Sequence, residues 1–205
     1  MRLRIIFSKT GALRYIGHLD LNTIWERAAR RAGLPLAYTQ GFHPQPKMNF
    51  ASALPLGFSS RCEMVDLWFN EELDLPSLST QLQNAMPSGI SILSMQSVDE
   101  RAAALQTQII SAEYEVSVTE AMDKVRLKQK IDEVMANPTL PRERRGKSYD
   151  LRPLIEKLEL AAENQIRMRL SAREGATGRP EEVLAVLEIP IEKVSIERTG
   201  LIFQN

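Results

Sequence analysis

Cysteine is almost missing from this chain of 205 residues: Cys62 stands alone. A single thiol closes no internal disulfide, and it cannot supply the several thiolates that hold an iron–sulfur cluster. Histidine is nearly as scarce, with only His18 and His43. No apolar run approaches the roughly 20 residues that a membrane-spanning helix needs. The opening residues MRLRIIFSKTG carry an apolar run too short for a secretory signal, and no small-residue cleavage site follows. There is no P-loop, dinucleotide fingerprint, HExxH or nucleophile elbow. These absences predict a cytoplasmic protein with no membrane contact, no metal and no resident cofactor.

What is present is ordinary in amount and uneven in placement. Hydrophobic residues make up 43% and charged residues 25%, as in soluble globular proteins. The length suits one domain or two small ones. Formal net charge is zero, yet residues 1–60 hold eight basic residues (Arg2, Arg4, Lys9, Arg14, Arg27, Arg30, Arg31, Lys47) against Asp20 and Glu26. That is +6, which leaves −6 for residues 61–205. A basic N-terminal stretch joined to an acidic remainder points to an anionic partner on one side, although two plainly solvated surfaces give the same count.

Periodicity predicts the elements. Residues 2–7 alternate as a strand. Leu21, Ile24, Trp25, Ala28, Ala29 and Ala32 form one helical stripe, with Asp20 as the expected N-cap and Gly33 as the stop. Strands follow at 47–53 and 63–69, a helix at 74–86 and a strand at 90–93. Residues 100–105 read as a linker with helical tendency. The order then recurs: a strand at 109–118, a helix at 120–135 with Val125, Ile131 and Val134 among its apolar residues, and a basic loop at 141–147. Extended segments at 150–161 and 165–173 flank a turn at Glu163-Asn164, before a helix at 180–187 and a strand at 193–203. The prediction is an α+β protein of two tandem ferredoxin-like (β-α-β-β-α-β) units with antiparallel sheets, a basic unit at 1–99 and an acidic one at 106–205.

The candidate site residues cluster between Lys9 and Glu63. Arg27, Arg30 and Arg31 share a helix face and suit phosphate oxygens, which arginine forks match. Phe42, between Gly41 and His43 on a proline-stiffened loop, can stack on a base or fill a partner's pocket. Lys9, Arg14, His18, His43 and Lys47 complete the set expected to meet RNA or another partner. His18 and His43, with Lys9, Tyr15 and Lys47, also read as a metal-independent nuclease site, since histidine serves as general acid and base. His18, Asp20, His43 and Cys62 are metal-binding residue types, but their spacing matches no compact ligand motif.

Taken together, RLRIIFSKTGALRYIGHLD, ERAARRAGLPLAYTQGFHPQPK and NFASALPLGFSSRCE resemble the radical-SAM-linked protein family, a bacterial domain family of undefined function. LPSLSTQLQNAMPSGI, ISAEYEV, YDLRPLIEKL and RPEEVLAVL extend the resemblance over nearly the whole chain. It implies an accessory partner of a radical SAM protein rather than the enzyme itself. Gly17 stands where that family commonly has serine, and Gln45 where it commonly has a second histidine, which weakens catalytic and metal roles there. The tandem order also resembles the RNA-processing proteins of CRISPR systems. The expected function is a non-enzymatic binding protein acting with a radical SAM enzyme on RNA or an RNA-containing substrate. The alternatives are a metal-independent endoribonuclease and a protein-only adaptor.

Overall fold

The computed structural model describes residues 1–120, 122–162 and 164–204. The chain divides into two compact units, Met1–Gln108 and Ile109–Asn205. Each repeats the expected β-α-β-β-α-β order.

In the first unit the elements are β1 (Arg2–Lys9), α1 (His18–Arg31), β2 (Met48–Phe50), β3 (Ser59–Trp68), α2 (Leu75–Ala85) and β4 (Ile90–Val98). β1 lies between β3 and β4, β2 pairs with the far side of β3, and every one of these pairs is antiparallel. The spatial order β4-β1-β3-β2 is that of the split β-α-β unit. Register follows from alternation. Leu3, Ile5 and Phe7 turn to the helices while Arg2 and Arg4 turn to the other face. Leu21, Trp25, Ala28 and Ala29 of α1 pack on Leu3, Ile5, Phe7, Val65 and Leu67. The rings of Phe7 and Trp25 meet edge to face at 4.8 Å. Fully burying a side chain of this kind stabilises by about 1.5–3 kcal/mol, so the stripe read from the sequence accounts for where α1 sits.

Several boundaries differ from expectation. α1 begins at His18 with Gly17 as N-cap, not at Asp20. Gly17 takes the extended cap conformation without a side-chain bond, and Asp20 falls in the first turn, where a carboxylate favours the helix dipole. β2 is only three residues long because the chain leaves the sheet after Phe50, whereas β3 starts four residues before the expected Glu63. β4 runs on to Val98. Residues 99–108 do not form a free linker. They belong to the first unit and strap its open sheet face: the Arg2 guanidinium donates to the carbonyls of Asp99, Ala102 and Ala103 at 3.4, 2.6 and 3.1 Å. Leu105 is fully buried.

The second unit contains β5 (Ile109–Val118), α3 (Lys124–Ala136), β6 (Pro141–Arg144), β7 (Lys147–Asp150), β8 (Ile155–Ala162), β9 (Gln165–Arg173), β10 (Ala176–Thr177), α4 (Pro180–Val186) and β11 (Val194–Phe203). β11 pairs with β5, β5 with β9 and β9 with β8, all antiparallel. Leu127, Ile131 and Val134 face the core, and Val125 points outward. The expected basic loop is a hairpin, β6–β7, turning at Arg145 (φ 52°) and Gly146 (φ 74°). Two successive positive φ values make the two-residue turn that matches strand twist. Of the expected turn Glu163-Asn164, Glu163 lies outside the described residues, and Asn164 has φ 59°. The arginines of β9 do not stand free on the open face: Arg169 meets Glu113 at 2.6 Å and Arg167 meets Glu115 at 3.1 Å across the β5 register.

Candidate nucleic-acid interface

The residues between Leu34 and Pro46 are too rich in proline and glycine for a long strand, yet they form an ordered hairpin. Tyr38 and Pro46 bridge in antiparallel fashion. The Lys47 amide donates to the Ala37 carbonyl at 2.8 Å, and the Thr39 amide to the Gln45 carbonyl at 2.8 Å. The Gln45 amide donates to Thr39 Oγ1 at 3.0 Å. The Ala37 amide in turn donates to the Trp68 carbonyl at 2.8 Å, which roots the hairpin on β3. Pro44 and Pro46 restrict the return arm. Residues 40–44 form the tip, and all are exposed. Phe42 is 101% exposed, so no atom of the protein shields its ring.

The C-terminal half of α1 meets the foot of this hairpin. Arg27, Arg30 and Arg31 are exposed. Arg30 binds Glu26 at 2.7 Å, and its Nε donates to the Tyr38 hydroxyl at 3.4 Å. The Tyr38 hydrogen bond first, then the Glu26 carboxylate, hold the Arg30 guanidinium above its ordinary pKa. Arg30 therefore tethers helix to hairpin. Arg27 and Arg31 flank it with no ion-pair partner among the described residues, and exposed Lys47 stands at the hairpin foot.

The other expected residues lie elsewhere. Lys9 is 1% exposed and donates to the Ile16 carbonyl at 3.1 Å, so it is not on this surface. Arg14 is half-buried, with its guanidinium 4.8 Å over the Tyr15 ring and its Nε buried without a partner. His18, the first residue of α1, lies edge to face against Phe50 at 5.4 Å. His43 is on the exposed tip. Among the described residues no hydrogen bond joins the two histidines, and no group of three or more His, Cys, Asp or Glu converges as metal ligands would.

Two features went unforeseen. Tyr38 is the link between helix and hairpin; its signal was an aromatic residue eight positions after an arginine across a glycine stop. The second is a buried ionic cluster on the open sheet face. Asp66, fully buried, accepts from Arg2 at 2.6 Å and from Arg4 at 2.9 Å. Arg2 also covers the Trp68 ring at 4.7 Å. The signal there was alternation, because Arg2 and Arg4 share one strand face with Asp66 between them on β3. This cluster and the 99–108 strap occupy the sheet face on which a bare four-stranded sheet would stack bases. The accessible basic and aromatic groups of this unit include those of α1 and the hairpin, along with Tyr15, Arg61 and Arg101.

Residues 2–180 match the model of the family described as "Uncharacterized protein conserved in bacteria (DUF2344)". No curated protein matches the chain. Among solved structures, a chain in the crystal structure of a Cbf5-Nop10-Gar1 complex is similar at 8% identity and a TM-score of 0.47. The similarity covers 97% of this chain and 48% of that one, so the present chain spans about half its length.

Proposed function

The chain belongs to the bacterial family DUF2344, and we propose that it is a non-enzymatic accessory protein that binds RNA, or an RNA-containing substrate, for a radical SAM enzyme. The radical SAM partnership rests on the sequence resemblance described above. The RNA reading is carried by one observation, the Arg30–Tyr38 contact that joins an arginine-bearing helix end to a hairpin with a fully exposed aromatic tip. Arginine suits phosphate contacts, and an exposed aromatic ring suits base stacking. A nuclease needs an acid and a base near one phosphodiester, and His18 and His43 make no contact that would align them.

The test has two arms. Labelled RNA is titrated with the protein at low salt, and tagged protein is used to capture radical SAM proteins from a lysate of the source cells. The expected results are saturable RNA binding with the RNA left intact, and specific capture of a radical SAM protein. Absence of RNA binding at low salt removes the RNA reading. RNA cleavage lost in both His18→Ala and His43→Ala would reinstate a nuclease.

A further inference from the structure

We infer that the ligand of the helix–hairpin surface is an unpaired RNA strand, one base of which stacks on Phe42 while Arg27 and Arg31 hold its phosphates. This rests on the RNA-binding reading above and narrows it to one class of RNA.

The first ground is the ring itself. An aromatic ring can stack only on a base whose own face is free, and in a duplex both faces of each base are covered by neighbours. Phe42 is the only phenyl ring on the tip, beside the smaller imidazole of His43, and its ring is entirely in solvent. The hairpin beneath it is already ordered by cross-strand bonds and two prolines. Binding therefore orders little further chain, which is how preorganisation raises affinity.

The second ground is charge. Lys47 is the sole charged residue between Leu34 and Ser60, so no carboxylate stands on the hairpin. The nearby acid on α1, Glu26, is taken up by Arg30. An anionic ligand fits this surface, and a hydrophobic protein anchor gains nothing from its sign. On α1 and the hairpin the exposed cations outside the Arg30–Glu26 pair are few among the described residues: Arg27, Arg31 and Lys47, the last within Coulombic reach of Glu100. A duplex gripped by shape alone needs a wide band of phosphate contacts across successive grooves. Few cations beside one free ring suit a single strand, in which stacking and backbone contacts act together.

The third ground is exclusion. The open sheet face of this unit is occupied over Arg2, Arg4 and Asp66 by the 99–108 strap and the ionic cluster, and along β4 it presents Ser91, Ser94 and Gln96 rather than an aromatic ring. Of this unit's exposed phenyl and phenol rings, those of Phe42 and Tyr15, the Tyr15 ring is already covered on one face by the Arg14 guanidinium at 4.8 Å, which leaves the hairpin tip as the free stacking platform.

The experiment compares a fluorescent 12-nucleotide RNA as a single strand and as a blunt duplex, by anisotropy at low salt. It uses the full chain as wild type, Phe42→Ala, Phe42→Trp and the double variant Arg27→Ala/Arg31→Ala. Single strand should bind more tightly than duplex. Phe42→Ala should weaken single-strand binding about ten-fold, as the loss of one stacked base does, and leave duplex binding unchanged. Phe42→Trp should retain the affinity, because it keeps a stacking face. The double variant should weaken both forms. Equal binding of strand and duplex, or an unchanged affinity in Phe42→Ala, overturns the unpaired-strand inference while leaving RNA binding in place. No binding of either form overturns the RNA-binding reading itself. Since Phe42 touches nothing in the fold, a folding defect does not confound its substitution.

Discussion

At the residue scale the first unit is decided by a few side chains whose neighbours leave them no alternative. Asp66 is fully buried and holds two guanidiniums, one of them, on Arg2, itself 1% exposed. Removing one member of a buried ionic group leaves the others charged, desolvated and unpaired, which costs about 3–5 kcal/mol. Asp66→Ala should therefore lower stability by about that amount in urea unfolding. Arg4→Leu should cost less, because Arg4 keeps 14% of its surface in water and Arg2 still pairs with Asp66. A loss in Asp66→Ala no larger than that in Arg4→Leu would refute this view of the cluster. The same scale separates Lys9 from Phe42. In the sequence both look like surface residues of polar, glycine-bearing segments. Lys9 is the last residue of β1, turned inward, and its ammonium donates to the Ile16 carbonyl in the turn before α1. No pattern in SKTG announces that bond. Phe42 stays outside because its hairpin is ordered by backbone bonds and needs no aromatic ring to pin it.

At the element scale, what was legible is what alternates. β1, β3, β5 and β9 each put apolar residues on one face and polar residues on the other, and the stripe of α1 repeats at helical period. The tandem order follows from those elements alone. The β6–β7 hairpin was not legible, since PRERRGKSYD has no apolar face to alternate. It is held from outside. Arg144 grips Glu182 of α4 through two hydrogen bonds, one at 2.8 Å, and lies 4.8 Å over the Tyr149 ring. Burial pushes the Glu182 carboxyl up, but the hydrogen bonds from Arg144 and Tyr149 outweigh it, and the net shift is downward. A carboxyl depressed in the folded state stabilises above its unfolded pKa, and that contribution is lost as pH falls through the folded value. Glu182→Gln should thus be less stable than wild type near pH 7 by about 1 kcal/mol, the discount for partial exposure included. The gap should close as pH drops below the ordinary carboxyl value of 4.5. A urea-midpoint series from pH 7 to pH 3 measures it, and a gap that stays constant with pH rules out the ion pair as its source.

At the scale of the whole molecule the charge asymmetry seen in the sequence changes meaning. The first unit contains ten basic and nine acidic residues, and the second sixteen and seventeen. The N-terminal unit is therefore not basic as a whole; the acids of residues 61–108 offset the surplus of residues 1–60. Arg2 and Arg4 are closed onto Asp66, and Lys9 is buried. Apart from Arg30, paired with Glu26, the exposed cations of the unit are Arg27, Arg31, Lys47, Arg61 and Arg101, of which the first three belong to α1 and the hairpin foot. Near-neutral units create little long-range field, so attraction acts within about a Debye length, roughly 8 Å at physiological salt. That fixes the salt dependence of RNA binding. Neutralising Z phosphates of a single strand gives a slope of log K against log salt of about −0.7Z, so three cations predict a slope of about −2. Arg27→Ala/Arg31→Ala should bring it to about −0.7, whereas Phe42→Ala should reduce affinity at every salt concentration with the slope unchanged. A wild-type slope steeper than about −4 would require phosphate contacts well beyond these three side chains, and would move the binding surface off the hairpin. A slope near zero would take phosphate out of the interaction and favour a protein partner, with Phe42 as an anchor in its pocket.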